Sequence, residues 1–146
     1  VKPSDLYETP PELFSELSEK YGPFDLDVCA EASTAKVANY IGLDKGEDAL
    51  ETNWHARGTK AWMNPPYSRE CLSKFIEKAI LEASKGMEVC ALLPADTSTK
   101  WFHKYVLNNN NCVYEFLPKR VRFLYNGEKQ GSPKFGSVVV VFGRKR

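Results

Sequence analysis

Apolar residues recur along this 146-residue chain in two rhythms, one helical and one strand-like. In "TPPELFSELSEKYG", Leu13, Phe14 and Leu17 share one helical face. Thr9 is the expected N-cap, Pro10 or Pro11 falls in the first turn, and Gly22 stands just past the end. "PFDLDVCA" is a short apolar run that predicts a buried strand with Asp27 towards its far end. "AEASTAKVANYIGLDKGEDAL" is mixed, and a helical turn plus a short strand at "VANYI" are expected before a Gly- and Asp-rich loop. "KAWM" reads as a strand, and "ECLSKFIEKAILEAS" spaces Leu72, Phe75, Ile76, Ala79 and Ile80 as a helix ending near Gly86. "EVCALLP" is another buried strand, stopped by Pro94. "DTSTKWFHKYVL" predicts a helix capped by Asp96, Thr97 or Ser98, with Trp101, Phe102, Tyr105 and Val106 on one face. An asparagine-rich turn then feeds "CVYEFLP", the segment "NGEKQGSPKFG" is rich in turn formers, and "SVVVVF" is the most strand-like run in the chain.

Strands alternating with helices predict a three-layer α/β domain with a mostly parallel sheet whose last strands pair antiparallel. The length suits one domain over 1–146 and leaves no room for a separate recognition domain. No stretch approaches the roughly 18 apolar residues of a membrane span, and the first residues lack an apolar core before a cleavage site, so no membrane role and a cytoplasmic location are expected. Cys29, Cys71, Cys90 and Cys112 are widely spaced without a C-x-x-C pair, which disfavours a zinc site or disulfide framework and predicts reduced, mostly buried thiols.

The net charge of +1 hides an asymmetry. From Lys119 onward eight Lys and Arg face Glu128 alone, which gives +7 against −6 for the first 118 residues. Either a solvated basic end or a footprint for phosphates has this pattern.

In an open α/β sheet, ligands bind beyond the carboxyl ends of the strands. Asp27, Asn64-Pro65-Pro66-Tyr67 and Pro94-Ala95-Asp96 occupy such places. Two consecutive prolines remove two backbone donors and restrict the loop, leaving it rigid and rich in acceptors. Asn64 adds a side-chain carbonyl and Tyr67 a flat ring, so the quartet suits a planar group bearing an NH₂. Ordinary turn punctuation after a strand is the simpler alternative for the prolines alone.

"NPPY", together with "DLYETPPELF", "YGPFDLDVCAEASTAK", "EDALETNW" and "LLPADTSTKWF" in this order, resembles the phage-type DNA N-6-adenine methyltransferases, Dam-like amino-methyltransferases. The resemblance runs from Asp5 to about Phe142. It implies a Rossmann-like, S-adenosylmethionine-dependent methyltransferase sheet and methylation of the adenine amino group in DNA, inside a bacterial or phage-infected host cell. The catalytic residues it implies are Asn64, Pro65, Pro66 and Tyr67: Asn64 and the Pro65 carbonyl accept the amino hydrogens, and Tyr67 stacks on a base swung out of the duplex. The cofactor side would be Tyr7, Thr9 and Pro10 at the methionine end, Asp27 near the ammonium, Ala30 in the turn after the first strand, and Asp48 with Leu50 at the adenine.

Two departures stand out. Ala30 and Ala32 replace the usual glycine-rich turn, and only 37 residues separate Asp27 from Asn64, which predicts a sheet trimmed in its first half. The basic stretch 119–137 is the expected DNA-contacting loop or hairpin, through Arg120, Arg122, Lys129 and Lys134, with Phe123, Tyr125 and Phe135 interleaved. The competing readings are a protein glutamine-amide methyltransferase using the same quartet and a catalytically inactive nucleic-acid-binding relative. Oligomeric state is left open.

Overall fold

The computed structural model describes residues 7–131 and 133–146; Asp5 and Leu6 of the N-terminal motif lie outside the described residues. Five strands form one sheet in the order β1 (Leu26–Asp27), β2 (Lys60–Met63), β3 (Glu88–Pro94), β7 (Ser137–Phe142) and β4 (Cys112–Phe116). β1, β2 and β3 are parallel, while β7 is antiparallel to both β3 and β4. Only β7 is therefore reversed, as the sequence pattern predicts for the end of the chain.

Both faces of the sheet are covered, which explains why its central strands are continuously apolar rather than alternating. Along β7, Val138, Val140 and Phe142 enter the core shared with α2 (Arg69–Ala83) and α3 (Lys100–Phe102). Val139 and Val141 enter a second core with Leu17 of α1 (Pro11–Tyr21), Trp62, Val121 and Phe123.

Several local expectations are corrected. Pro10, not Thr9, is the N-cap of α1, without a side-chain cap, and Pro11 opens the first turn. Gly22 closes that helix by donating its N–H to Ser18 O. The expected strand at "PFDLDVCA" contracts to two residues, and "VANYI" contributes a single bridge, Tyr40 beside Asp27. The shortened first half of the sheet is therefore present. Thr99, rather than Asp96, Thr97 or Ser98, caps α3, its hydroxyl accepting from the Phe102 N–H at 3.3 Å. After three residues α3 widens into a π-helix over His103–Leu107.

Glu82 of α2 is fully buried and accepts from Lys78 Nζ at 2.7 Å, His55 Nδ1 at 2.6 Å and the His55 backbone N–H at 2.8 Å. These bonds clamp the turn around Trp54–Ala56 to the helix that follows the quartet. All four cysteines are free; Cys90 and Cys112 are buried, and Cys29 and Cys71 half-buried. Among the described residues no helix is long and apolar enough to cross a membrane, and no His, Cys, Asp and Glu group could hold a metal ion.

Candidate active site

β2 ends at Met63, and the next four residues leave the sheet as an extended segment. Its two prolines disfavour helical geometry. Asn64 and Pro66 border a cavity of 460 Å³ beyond the ends of β1 and β2. Pro65 and Tyr67 border a second cavity of 400 Å³, walled also by Phe123, Phe135 and by Gln130, Gly131 and Pro133 of the basic loop. Asn64 and Tyr7 line both.

Asn64 Nδ2 donates to the Tyr7 carbonyl at 3.2 Å. That bond fixes which way the amide faces and keeps Oδ1 as the acceptor end. The Tyr67 hydroxyl donates to Leu92 O of β3 at 2.7 Å, and the ring meets Phe123 and Phe135 edge-on, with centroids 5.9 and 5.8 Å away. Burial raises the Tyr67 phenol well above its ordinary value, which keeps it a neutral donor.

The larger cavity gathers every residue expected on the cofactor side except Pro10: Tyr7, Thr9, Asp27, Ala30, Asp48 and Leu50. Pro10 instead accepts the Phe14 N–H at 3.1 Å and starts α1. Thr9 is 0% exposed, and its hydroxyl has no hydrogen-bond partner among the described residues. Asp27, 2% exposed, accepts from the Cys29 N–H at 3.2 Å and the Lys36 N–H at 3.0 Å. Burial outweighs those two bonds and pushes its carboxyl up to about 6. Asp48 caps a single 3₁₀ turn, its Oδ1 accepting from Leu50 N–H at 3.0 Å.

The missing glycine turn is replaced from elsewhere. Ala30 N–H donates to Ile41 O at 3.2 Å, and a Cβ on Gly42 would sit 2.2 Å from Ala30 O. Close approach of the two cavity-lining segments thus depends on Gly42, twelve residues past the position where the glycine was sought. Gly42 and Lys36, which also borders the cavity, were not foreseen; Lys36 lies two residues beyond Thr34 in a stretch without periodicity.

The basic loop is partly used for its own folding. Phe123 is buried, Arg120 donates to Pro133 O at 2.9 Å and Arg122 to Gln130 O at 3.1 Å. Its tip is a two-stranded hairpin, β5 (Leu124–Tyr125) and β6 (Glu128–Lys129), turned by Asn126 and Gly127 with φ of 52° and 80°. Glu8 and Leu124 exchange two backbone hydrogen bonds of 2.8 and 2.9 Å, which join the hairpin to the Tyr7–Thr9 segment. Arg120, Arg122, Lys129 and Lys134 are all exposed. The +7 excess divides, because Arg144 pairs with Glu88 at 2.8 Å and Arg146 donates to Val106 O, Leu107 O and Cys112 O away from the loop.

The family model for DNA N-6-adenine-methyltransferase (Dam) matches residues 1–145. A DNA N-6-adenine-methyltransferase of Haemophilus phage HP1 is 34% identical over 145 residues, covering 97% of this chain and 80% of that protein. A DNA N-6-adenine-methyltransferase of Escherichia phage T1 is 35% identical over 102 residues, covering 67% of this chain. The chain spans 39% of the T1 protein's length.

Proposed function

The chain belongs to the DNA N-6-adenine-methyltransferase (Dam) family, and from that premise we propose that it methylates the N6 amino group of adenine in DNA with S-adenosylmethionine as donor. The observation that carries this reading is the pair of cavities meeting at Asn64 and Tyr7. Direct methyl transfer needs donor and acceptor adjacent and in line, beside the group that polarises the acceptor, and Asn64 borders both cavities. Family membership favours DNA adenine over a protein glutamine amide. The reversed β7 and the short β1 fit a Rossmann-like methyltransferase sheet whose outer strands are trimmed.

The larger cavity suits the methyl donor. Its volume of 460 Å³ lies within the range of small-molecule sites. Its carboxylates match a donor that carries ammonium and sulfonium charges, Ala49 and Leu50 offer apolar contact for an adenosine ring, and the Thr9 hydroxyl is buried without a partner. S-adenosylmethionine, when bound, supplies an electrophilic methyl group on sulfur.

The smaller cavity receives the target base. The exocyclic amino nitrogen of adenine is a poor nucleophile because its lone pair is delocalised into the ring. Asn64 Oδ1 and the Pro65 carbonyl accept its two hydrogens and draw the nitrogen towards tetrahedral geometry, which localises the lone pair. The amide is held for this by Tyr7 O, so little reorganisation is needed when the base arrives. Tyr67 offers the base its ring, anchored at Leu92 O. Asn64 is uncharged and cannot hold the released proton, which passes to water. Arg120, Arg122, Lys129 and Lys134 contact phosphates beside the mouth of the base cavity while the adenine is extruded.

Tritium transfer from labelled S-adenosylmethionine to adenine in duplex DNA tests this reading. Wild-type chain should label N6, and Asn64→Ala and Tyr67→Ala should lose the activity. Full activity in both variants would remove the roles assigned to the quartet, and labelled protein beside unlabelled DNA would favour a glutamine amide.

A further inference from the structure

Among the described residues bordering the larger cavity, Lys36 is the sole cation, set against Glu8, Asp27, Glu31, Asp44, Glu47 and Asp48. An acidic cavity is understandable for a donor with two positive charges. A lysine within it works against such a ligand, since like charges across a low-dielectric site repel strongly. Its side chain is 12% exposed, so desolvation of the ammonium adds to the cost.

The backbone of this lysine is anchored at the cavity, while its ammonium is only loosely held. The Lys36 backbone N–H donates to Asp27 Oδ2 at 3.0 Å, which pins the residue beside the end of β1. Its ammonium lies 3.4 Å from Glu8 Oε2, longer than the roughly 2.7–2.9 Å of a well-made charge-assisted hydrogen bond. An ammonium carries three donors, and one loose contact leaves capacity for an anion. Thr9, with its buried hydroxyl unpartnered, borders the same cavity.

We propose that Lys36 receives the α-carboxylate of the methyl donor's amino-acid end, while the neighbouring ammonium turns to Glu8 and Asp27. The zwitterion then meets complementary charge at both of its groups, and the lysine no longer opposes the ligand. Lys36 becomes a specificity residue that distinguishes an intact amino-acid group from one lacking its carboxylate. The assignment rests on S-adenosylmethionine being the donor, as proposed above.

Calorimetric titration of the full chain with S-adenosylmethionine and with decarboxylated S-adenosylmethionine isolates the contact. The second ligand keeps the adenosine, sulfonium and ammonium and lacks only the carboxylate. Wild-type chain should prefer the intact ligand by about ten- to a hundredfold. Lys36→Met should abolish most of that preference by weakening the intact ligand, while the decarboxylated one, whose two positive charges no longer face the lysine, is bound no more weakly than by wild type. Lys36→Arg should keep it. Equal binding of both ligands by wild type would overturn the assignment without any variant. Equal weakening of both ligands in Lys36→Met would also overturn it, reducing Lys36 to a neutraliser of Glu8 and Asp27. Binding of neither ligand by wild type would instead overturn the donor reading on which the assignment rests.

Discussion

Replacing Thr9 by valine should push the free protein and its donor complex in opposite directions. The Thr9 hydroxyl is wholly buried and meets no hydrogen-bond partner. An unsatisfied buried hydroxyl costs about 1–3 kcal/mol. Valine keeps the branched shape and removes that cost, so the free variant should be more stable by about 1 kcal/mol, the low end because the residue sits at a cavity edge. For a chain of this length that raises the melting temperature by about 3 °C. If the hydroxyl is kept for S-adenosylmethionine, the complex loses one hydrogen bond, about 1 kcal/mol and about fivefold in Kd. Thermal unfolding without ligand, followed by calorimetric titration, reads both. A lower melting temperature with an unchanged Kd would refute the reasoning, because the hydroxyl would then be satisfied in the free protein and unused by the ligand.

Asp27 makes stability and binding depend on pH in opposite senses. Burial raises its carboxyl from 3.8 to about 6, so between these values the native state keeps a proton that the unfolded chain has released. Stability therefore falls as pH rises from about 4 to 6, by up to about 3 kcal/mol, whereas donor affinity rises through pH 6 as the carboxylate forms; Asp27→Asn should flatten both profiles. Glu82, held down to about 2 by Lys78 and His55 despite its burial, acts the other way: its stabilisation is present above about 4.5 and disappears as pH falls towards 2. Denaturant titration across pH 2–7 distinguishes the two carboxylates. Gly42→Ala should cost about 1–3 kcal/mol and weaken donor binding, since its Cβ would strike Ala30 O; unchanged melting and Kd would count against the close approach. Lys129→Ala and Lys134→Ala should each weaken DNA binding and lower the salt slope by about 1 without altering the melting temperature; an unchanged slope would place the phosphates elsewhere.

Where a pattern is carried by burial, the chain could be read directly. β3 and β7 are apolar on both faces, and their limits match the runs "EVCALLP" and "SVVVVF". The quartet was legible for another reason, because two prolines impose local geometry whatever surrounds them. Thr9 carried two readings: a threonine before Pro-Pro has the sequence of a cap, but Pro10 takes the cap position, and the chain turns Thr9 into the cavity where the cofactor-side reading expected it. Gly42 and Lys36 depend on two loops meeting in space, which no local periodicity encodes. The i, i+4 pair of Lys78 and Glu82 has the spacing of a solvated ion pair, and only the arrival of His55 explains why Glu82 is buried. Total charge in the last 28 residues was likewise misleading, since Arg144 and Arg146 serve the opposite margin of the sheet from the loop that carries Lys129 and Lys134.

β7 fills the place between β3 and β4, pairing with six residues of one and five of the other. It also follows the other six strands of the described residues in chain order. Until residues 137–142 leave the ribosome, β3 lacks its neighbour on that side and β4 has no place in the sheet. The two nascent edges stay open to pairing with other chains while the six earlier strands are already made. A ribosome that stops before Ser137 releases every residue of the quartet and both walls of the donor cavity, yet leaves the sheet that holds them divided.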